Sequence, residues 1–131
     1  MSKLIAVSSY SKSQETIVGS SPQGVVVDTG VPSIKVKAGG QGVLEDRYTL
    51  SVSAIIDSGA GATIPDPGPY TATFSATSTK IKAGGQAVLR EDDETDVINA
   101  TPQIPGTPPI PFPVSFKFKI SSAGQSKVKG E

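Results

Sequence analysis

The chain has 131 residues, enough for one domain with a modest core, and its 12 basic and 12 acidic residues cancel, so no net field holds nucleic acid or an anionic membrane. It contains neither Cys nor His, which excludes disulfide scaffolds, thiolate or Ser-His nucleophiles and every zinc site ligated by those residues. The 24 Val plus Ile against 4 Leu, with 28 Ser plus Thr, 14 Gly and 11 Pro, describe a nearly all-β fold, because β-branched side chains suit a pleated surface while Gly and Pro punctuate turns.

Residues 1–23 are Ser-rich with little periodicity and are predicted as an irregular lead-in or an edge strand. Within them Leu4-Ile5-Ala6-Val7 is too short for a signal-peptide core, and nowhere do about 18 apolar residues run together to span a bilayer. The expectation is a soluble protein made in the cytoplasm without a signal peptide. Val25-Val26-Val27 reads as a strand stopped by Asp28-Thr29-Gly30 and Pro32. Ile34, Val36 and Ala38 alternate with Lys35 and Lys37, the period of a strand with one wet face. Gly39-Gly40 then supplies a tight turn in which positive φ costs little, and Val43-Leu44 starts the return strand.

Tyr48, Leu50, Val52 and Ala54 alternate with polar partners and carry the first arm to Ile56. A linker with Pro65, Pro67 and Pro69 precedes a second arm, opened by Tyr70, Ala72, Phe74 and Ala76 on one face. Glu91 to Asn99 is the one weak helix candidate. Thr101 to Pro113 holds six prolines in 13 residues and is predicted as an extended connector unable to donate a strand ladder. The third arm is Val114 to Ile120, with Phe116, Phe118 and Ile120 opposite Lys117 and Lys119.

The arms are copies. Ser33 to Leu44 returns 45 residues later as Ser78 to Leu89 with nine of 12 positions identical, and Ser126-Lys127-Val128-Lys129-Gly130 is a shortened third echo 47 residues further on. Near-equal spacing in so short a chain means one supersecondary unit used repeatedly, packed about a pseudo-threefold axis. The whole chain, residues 1–131, is then a single domain with arms at approximately 24–56, 69–98 and 113–131. Gly39, Gly40, Gly84 and Gly85 are the structural turn residues.

Three groups are candidates for function. The pairs Lys35/Lys37, Lys80/Lys82 and Lys127/Lys129 would line equivalent faces of three hairpins and contact an acidic partner; the plainer reading is a solvated face that blocks edge-to-edge aggregation. The run Glu91-Asp92-Asp93-Glu94 with Asp96 is acidic but lacks the alternating ligand spacing of a calcium loop, so it reads as a solvated loop, with no metal and no cofactor expected. Asp57-Ser58-Gly59-Ala60, within Ser53 to Ile64, resembles the active-site stretch of retroviral-type aspartic proteases. These are all-β homodimers in which one Asp per subunit shares a proton with its twin. A strand ending in an exposed Gly-rich turn accounts for Asp57 equally well.

The arm pattern Gly30-x-Pro32-Ser33-x-x-Val36-x-x-Gly39-Gly40-Gln41-x-Val43-Leu44 resembles PAAR-repeat and PAAR-like proteins, the spike-tip proteins of contractile injection systems: phage tails, type VI secretion and extracellular contractile particles. The resemblance covers residues 24–131. It implies β-hairpins folded into a small cone with Pro-rich connectors, a monomer that caps a trimeric VgrG-like central spike and pierces the target envelope. It also implies assembly into a particle delivered outside the cell, with an effector able to ride on the tip. The family's Pro-Ala-Ala-Arg signature is replaced by Gly42-Val43-Leu44-Glu45 and Ala87-Val88-Leu89-Arg90. The resemblance also implies a zinc often held at the tip through His and Cys, which this chain lacks, so a metal-free tip held by packing of residues such as Val36, Ile81 and Val128 is expected, and no catalysis. The protease reading and a β-rich fibre or carbohydrate-binding module are the alternatives; the absence of Trp and the presence of only 3 Tyr leave few platforms for stacking on sugars.

Overall fold

Alternating apolar residues and frequent turn residues give an all-β chain in the computed structural model, which describes residues 2–131. The strands are β1 (Lys3–Leu4), β2 (Ser11–Val18), β3 (Pro22–Asp28), β4 (Lys37–Ala38), β5 (Gln41–Gly42), β6 (Thr49–Asp57), β7 (Ala62–Asp66) and β8 (Tyr70–Ser75). They continue as β9 (Lys82–Ala83), β10 (Gln86–Ala87), β11 (Glu94–Thr95), β12 (Ile98–Ala100), β13 (Gln103–Ile104), β14 (Ile110–Pro111), β15 (Val114–Ser122) and β16 (Lys129–Gly130). Glu91 to Asn99 is a turn followed by strand, not helix.

The long strands form one antiparallel sheet: β2 pairs β15, β15 pairs β11 and β12, β11 pairs β8, β8 pairs β6 and β6 pairs β3. Its inner face carries Leu50, Val52, Ala72, Phe74, Val114, Phe116, Phe118 and Ile120, all buried in one cluster. Ala54 is not among them. It adopts a left-handed conformation (φ 51°) in a bulge, which turns Ile55 inward in its place. Strands β2 and β3 end the sheet and are joined by side chains: Gln14 Nε2 donates to Pro22 O at 2.6 Å, while Lys12 Nζ and Tyr10 OH donate to Asp28 at 2.9 Å. Tyr48 OH donates to the same carboxylate at 2.8 Å. Burial pushes the Asp28 carboxyl up, but the hydrogen bonds from Lys12, Tyr48 and Tyr10 outweigh it and hold the group below its ordinary value. Asp28→Ala is expected to cost about 2 kcal/mol, in the range for hydrogen bonds to a charged group, measured by urea denaturation.

At the other end of these strands three segments, Ile5–Val7, Val43–Glu45 and Val88–Arg90, close into a triangle. Val7 bridges Val43, Glu45 bridges Val88, and Arg90 bridges Ile5. In its centre the Ala6 N–H donates to Leu89 O (3.0 Å), the Leu89 N–H to Leu44 O (2.8 Å), and the Leu44 N–H back to Ala6 O (2.9 Å). Two further sets repeat around the ring. Ile5, Val43 and Val88 donate to the carbonyls of Val128, Val36 and Ile81, and Ser8, Asp46 and Glu91 donate to those of Gly42, Ala87 and Leu4. The ring separates two cores: Ala6, Leu44 and Leu89 face the sheet, whereas Ile5, Val7, Val43 and Val88 pack with Ala38 and Ala83 on the hairpin side.

Of the two expectations for residues 1–23, the edge strand holds for β2, which pairs β15 alone, and the irregular lead-in is corrected. The first residues of the chain are the missing half of the third repeat: β1 pairs β16, Leu4 opposite Lys129, just as Gly42 pairs Lys37 and Ala87 pairs Lys82. The third hairpin is assembled from the two chain ends. Its position equivalent to Ala38 and Ala83 is Gly130, because a Cβ there would run into Cδ1 of Ile81, one methylene longer than Val36 or Val128. Gly130→Ala is expected to destabilise by about 1–3 kcal/mol, and Ile81→Val in the same chain to recover much of that loss. A double-mutant cycle measured by thermal unfolding checks the coupling.

Candidate functional site

The repeated hairpins are shorter than their alternation promises. Only Lys37–Ala38 and Lys82–Ala83 are strand, and Ile34, 82% exposed, lies outside the ladder. The Ser33 hydroxyl accepts the N–H groups of Lys35 and Val36, which fixes a local turn there instead of a strand. Gln125 Oε1 does the same for Lys127 and Val128. The turns are as expected. Gly39 and Gly40 have φ of 60° and 80°, Gly84 and Gly85 of 58° and 83°, the type I′ geometry that joins Ala38 to Gln41 and Ala83 to Gln86.

Lys35, Lys37, Lys80, Lys82, Lys127 and Lys129 are all exposed and sit at matching positions of the three hairpins; Lys80 reaches Glu131 at 3.2 Å. The threefold relation also gives equivalent parts to Val36, Ile81 and Val128, whose carbonyls accept the N–H groups of Val43, Val88 and Ile5. They do not form the interior of the hairpin side, a second correction: Val36 and Val128 are 38% and 37% exposed, and only Ile81 packs on the cluster. The buried work falls to Val43, Val88 and Ile5, with Val7 beside them. The positions missed in the sequence are therefore Lys3 to Val7. The signal available was the third echo itself, which ends before any return strand.

Asp57 is the clearest correction. It is not in an exposed turn but fully buried at the end of β6. Its carboxylate accepts the N–H groups of Ser20 (2.8 Å), Ser21 (2.9 Å) and Ala60 (3.1 Å), capping the 3-10 turn Ser58–Ala60 and tying it to the β2–β3 turn. Burial pushes its carboxyl up, yet the N–H groups of Ser21, Ser20, Ala60 and Gly59 outweigh that and hold it below its ordinary value. Asp66 works in the same way nearby, accepting from Thr101 N–H, Tyr70 OH and Gly68 N–H. Both oxygens of Asp57 are thus committed to the backbone.

The acidic run is dispersed. Asp93 is buried and accepts from Arg90 N–H and Thr77, Glu94 pairs with Lys117 at 3.1 Å, and Asp96 accepts the Thr73 N–H at 2.9 Å. Among the described residues no group of three or more acidic side chains is arranged to hold a metal ion. The Pro-rich stretch also differs from expectation. Its Gln103–Ile104 pairs both Ile110–Pro111 and Ile64, so it folds back as a small β13–β14 hairpin instead of running as an extended connector. It lies, with 18–22 and 57–70, at the end of the sheet remote from the ring.

Comparison with known proteins finds no match: no family model, curated protein or solved structure matches this chain. Function is therefore read from the chain's own geometry.

Proposed function

We propose that this protein is a structural spike tip, a monomer that caps the end of a trimeric central spike in a contractile injection machine and helps it pierce an envelope. The observation that supports this most is the closed ring of backbone hydrogen bonds among Ala6, Leu89 and Leu44. A single chain that repeats one contact three times about an axis can offer three quasi-equivalent surfaces to a threefold partner, which an unsymmetrical domain cannot. Short turns, strand ends tied by Asp57 and Asp66, and ten of the 11 prolines at the remote end limit the freedom of a part that transmits force. The resemblance to PAAR-like arms agrees with this role. The reading assigns the chain no catalysis, no cofactor and no nucleic-acid partner, and it places the protein on an assembled particle.

Mixing the protein with the trimeric spike of its own particle and measuring mass by light scattering tests the reading. The expected result is one copy per trimer. A stable homodimer that ignores the spike would count against it.

A further inference from the structure

We propose that the hairpin end, not the Pro-rich end, is the docking face, and that it fits the threefold end of a homotrimeric protein carrying carboxylates around its rim; this rests on the capping role above and adds which end docks and what chemistry meets it.

The two ends differ in symmetry. On the hairpin side the strand pair occurs three times: β4–β5, β9–β10 and β16–β1 share one register, the first two closed by Gly-Gly turns and the third formed by the chain ends, and each feeds the same pair of hydrogen bonds into the ring. On the remote side nothing repeats. The three connections there are the short 19–21 turn, the 3-10 turn with β7, and the β13–β14 hairpin. A symmetric trimer binding a single copy gains equal contacts on all three subunits only against the repeated face.

The ends also differ in charge. Although the chain is neutral, seven of its ten lysines (the six of the three pairs and Lys3) lie in the hairpin strands or within two residues of them. Three carboxylates lie beside them and leave the lysines in excess: Glu131 reaches Lys80, Asp92 reaches Lys3 at 3.6 Å, and Glu45 lines one hollow with Lys35 and Gly84. The remote segments 18–22, 57–70 and 100–114 contain no lysine or arginine. Their acids, Asp57 and Asp66, are occupied by backbone and tyrosine donors. A neutral molecule so divided presents a basic face of threefold pattern, and complementary potential directs such a face to an acidic one. Val36 and Val128, more than a third exposed at positions matching Ile81, each stand between two lysines and supply apolar contact next to them.

The test compares two triple variants at exposed positions, Lys37→Glu/Lys82→Glu/Lys129→Glu at the hairpins and Thr63→Lys/Thr107→Lys/Ile110→Lys at the remote end, each first checked for an unchanged melting temperature. The probe is the spike trimer of the same particle, with phosphatidylserine vesicles and duplex DNA in parallel. The hairpin variant is expected to lose about a hundredfold in affinity for the trimer, and wild-type binding to weaken as salt is raised, while the remote variant binds as wild type. Unchanged binding by the hairpin variant, or loss confined to the remote variant, overturns the assignment while leaving the capping role standing. Failure of the wild-type protein to bind the trimer at all overturns both. Tighter binding to vesicles or DNA than to the trimer, abolished in the hairpin variant, gives the basic face to lipid or nucleic acid and overturns the proposal.

Discussion

Asp57→Ala is expected to lower stability by about 2–4 kcal/mol, because three N–H groups lose a fully buried charged acceptor together. For a chain of this size the melting temperature should fall by about 10–15 °C. Asp57→Asn keeps one acceptor oxygen and should recover part of the loss. The same residue governs acid sensitivity. Asp57, Asp66 and Asp28 all have carboxyls held below the ordinary value of 3.8. Their stabilisation is complete above that value and is lost as pH falls through their native values, so melting temperature should drop below about pH 4. Thermal scans across pH should show a flatter acid limb in Asp57→Asn. Unchanged stability in Asp57→Ala would mean that the β2–β3 turn needs no anchor, contrary to the hydrogen bonds it makes.

Leu89→Ala is expected to cost about 3–4 kcal/mol, the range for a leucine removed from a rigid core. Leu89 is fully buried against Leu44 and Ala6 around the axis, under a ring of backbone bonds that leaves little freedom to collapse. The three positions are related by the repeat, and Ala6 is the small member. Ala6→Leu alone should therefore overpack the axis, by about 1–3 kcal/mol, whereas Ala6→Leu combined with Leu89→Ala should be more stable than Leu89→Ala alone. Urea denaturation of the three variants reads this coupling directly. Strict additivity would show that the leucines do not share one axial space.

Much of this arrangement was legible in the chain. Gly-Gly turns, the Lys-x-Lys positions and the apolar alternation of Val114 to Ile120 map onto hairpins and a half-buried strand because each is a local pattern with one physical outcome. What escaped was non-local. Lys3 to Val7 looks aperiodic alone and gains its meaning only when Lys129 and Gly130 lie beside it. Ala54 fits the alternation of β6 but is displaced by a bulge that no residue type announces. Asp57 looked like the acid of an open turn, and its burial depends on Ser20 and Ser21, more than 30 residues earlier in the chain. Val36 and Val128 read as interior residues, whereas the ring uses their carbonyls and leaves the side chains partly open.

In the capping role proposed above, three hairpins offer equivalent surfaces to one trimer. Because the chain has no cysteine, a single cysteine can be placed in turn at Lys37, Lys82 or Lys129 without competition. Each variant would be mixed with the spike trimer and treated with a short thiol-to-carboxylate or thiol-to-amine cross-linker, and the cross-linked spike residue identified by mass spectrometry. All three cysteines are expected to reach the same spike position in similar yield. Cross-linking from only one of the three, or from three unrelated spike positions, would contradict that role.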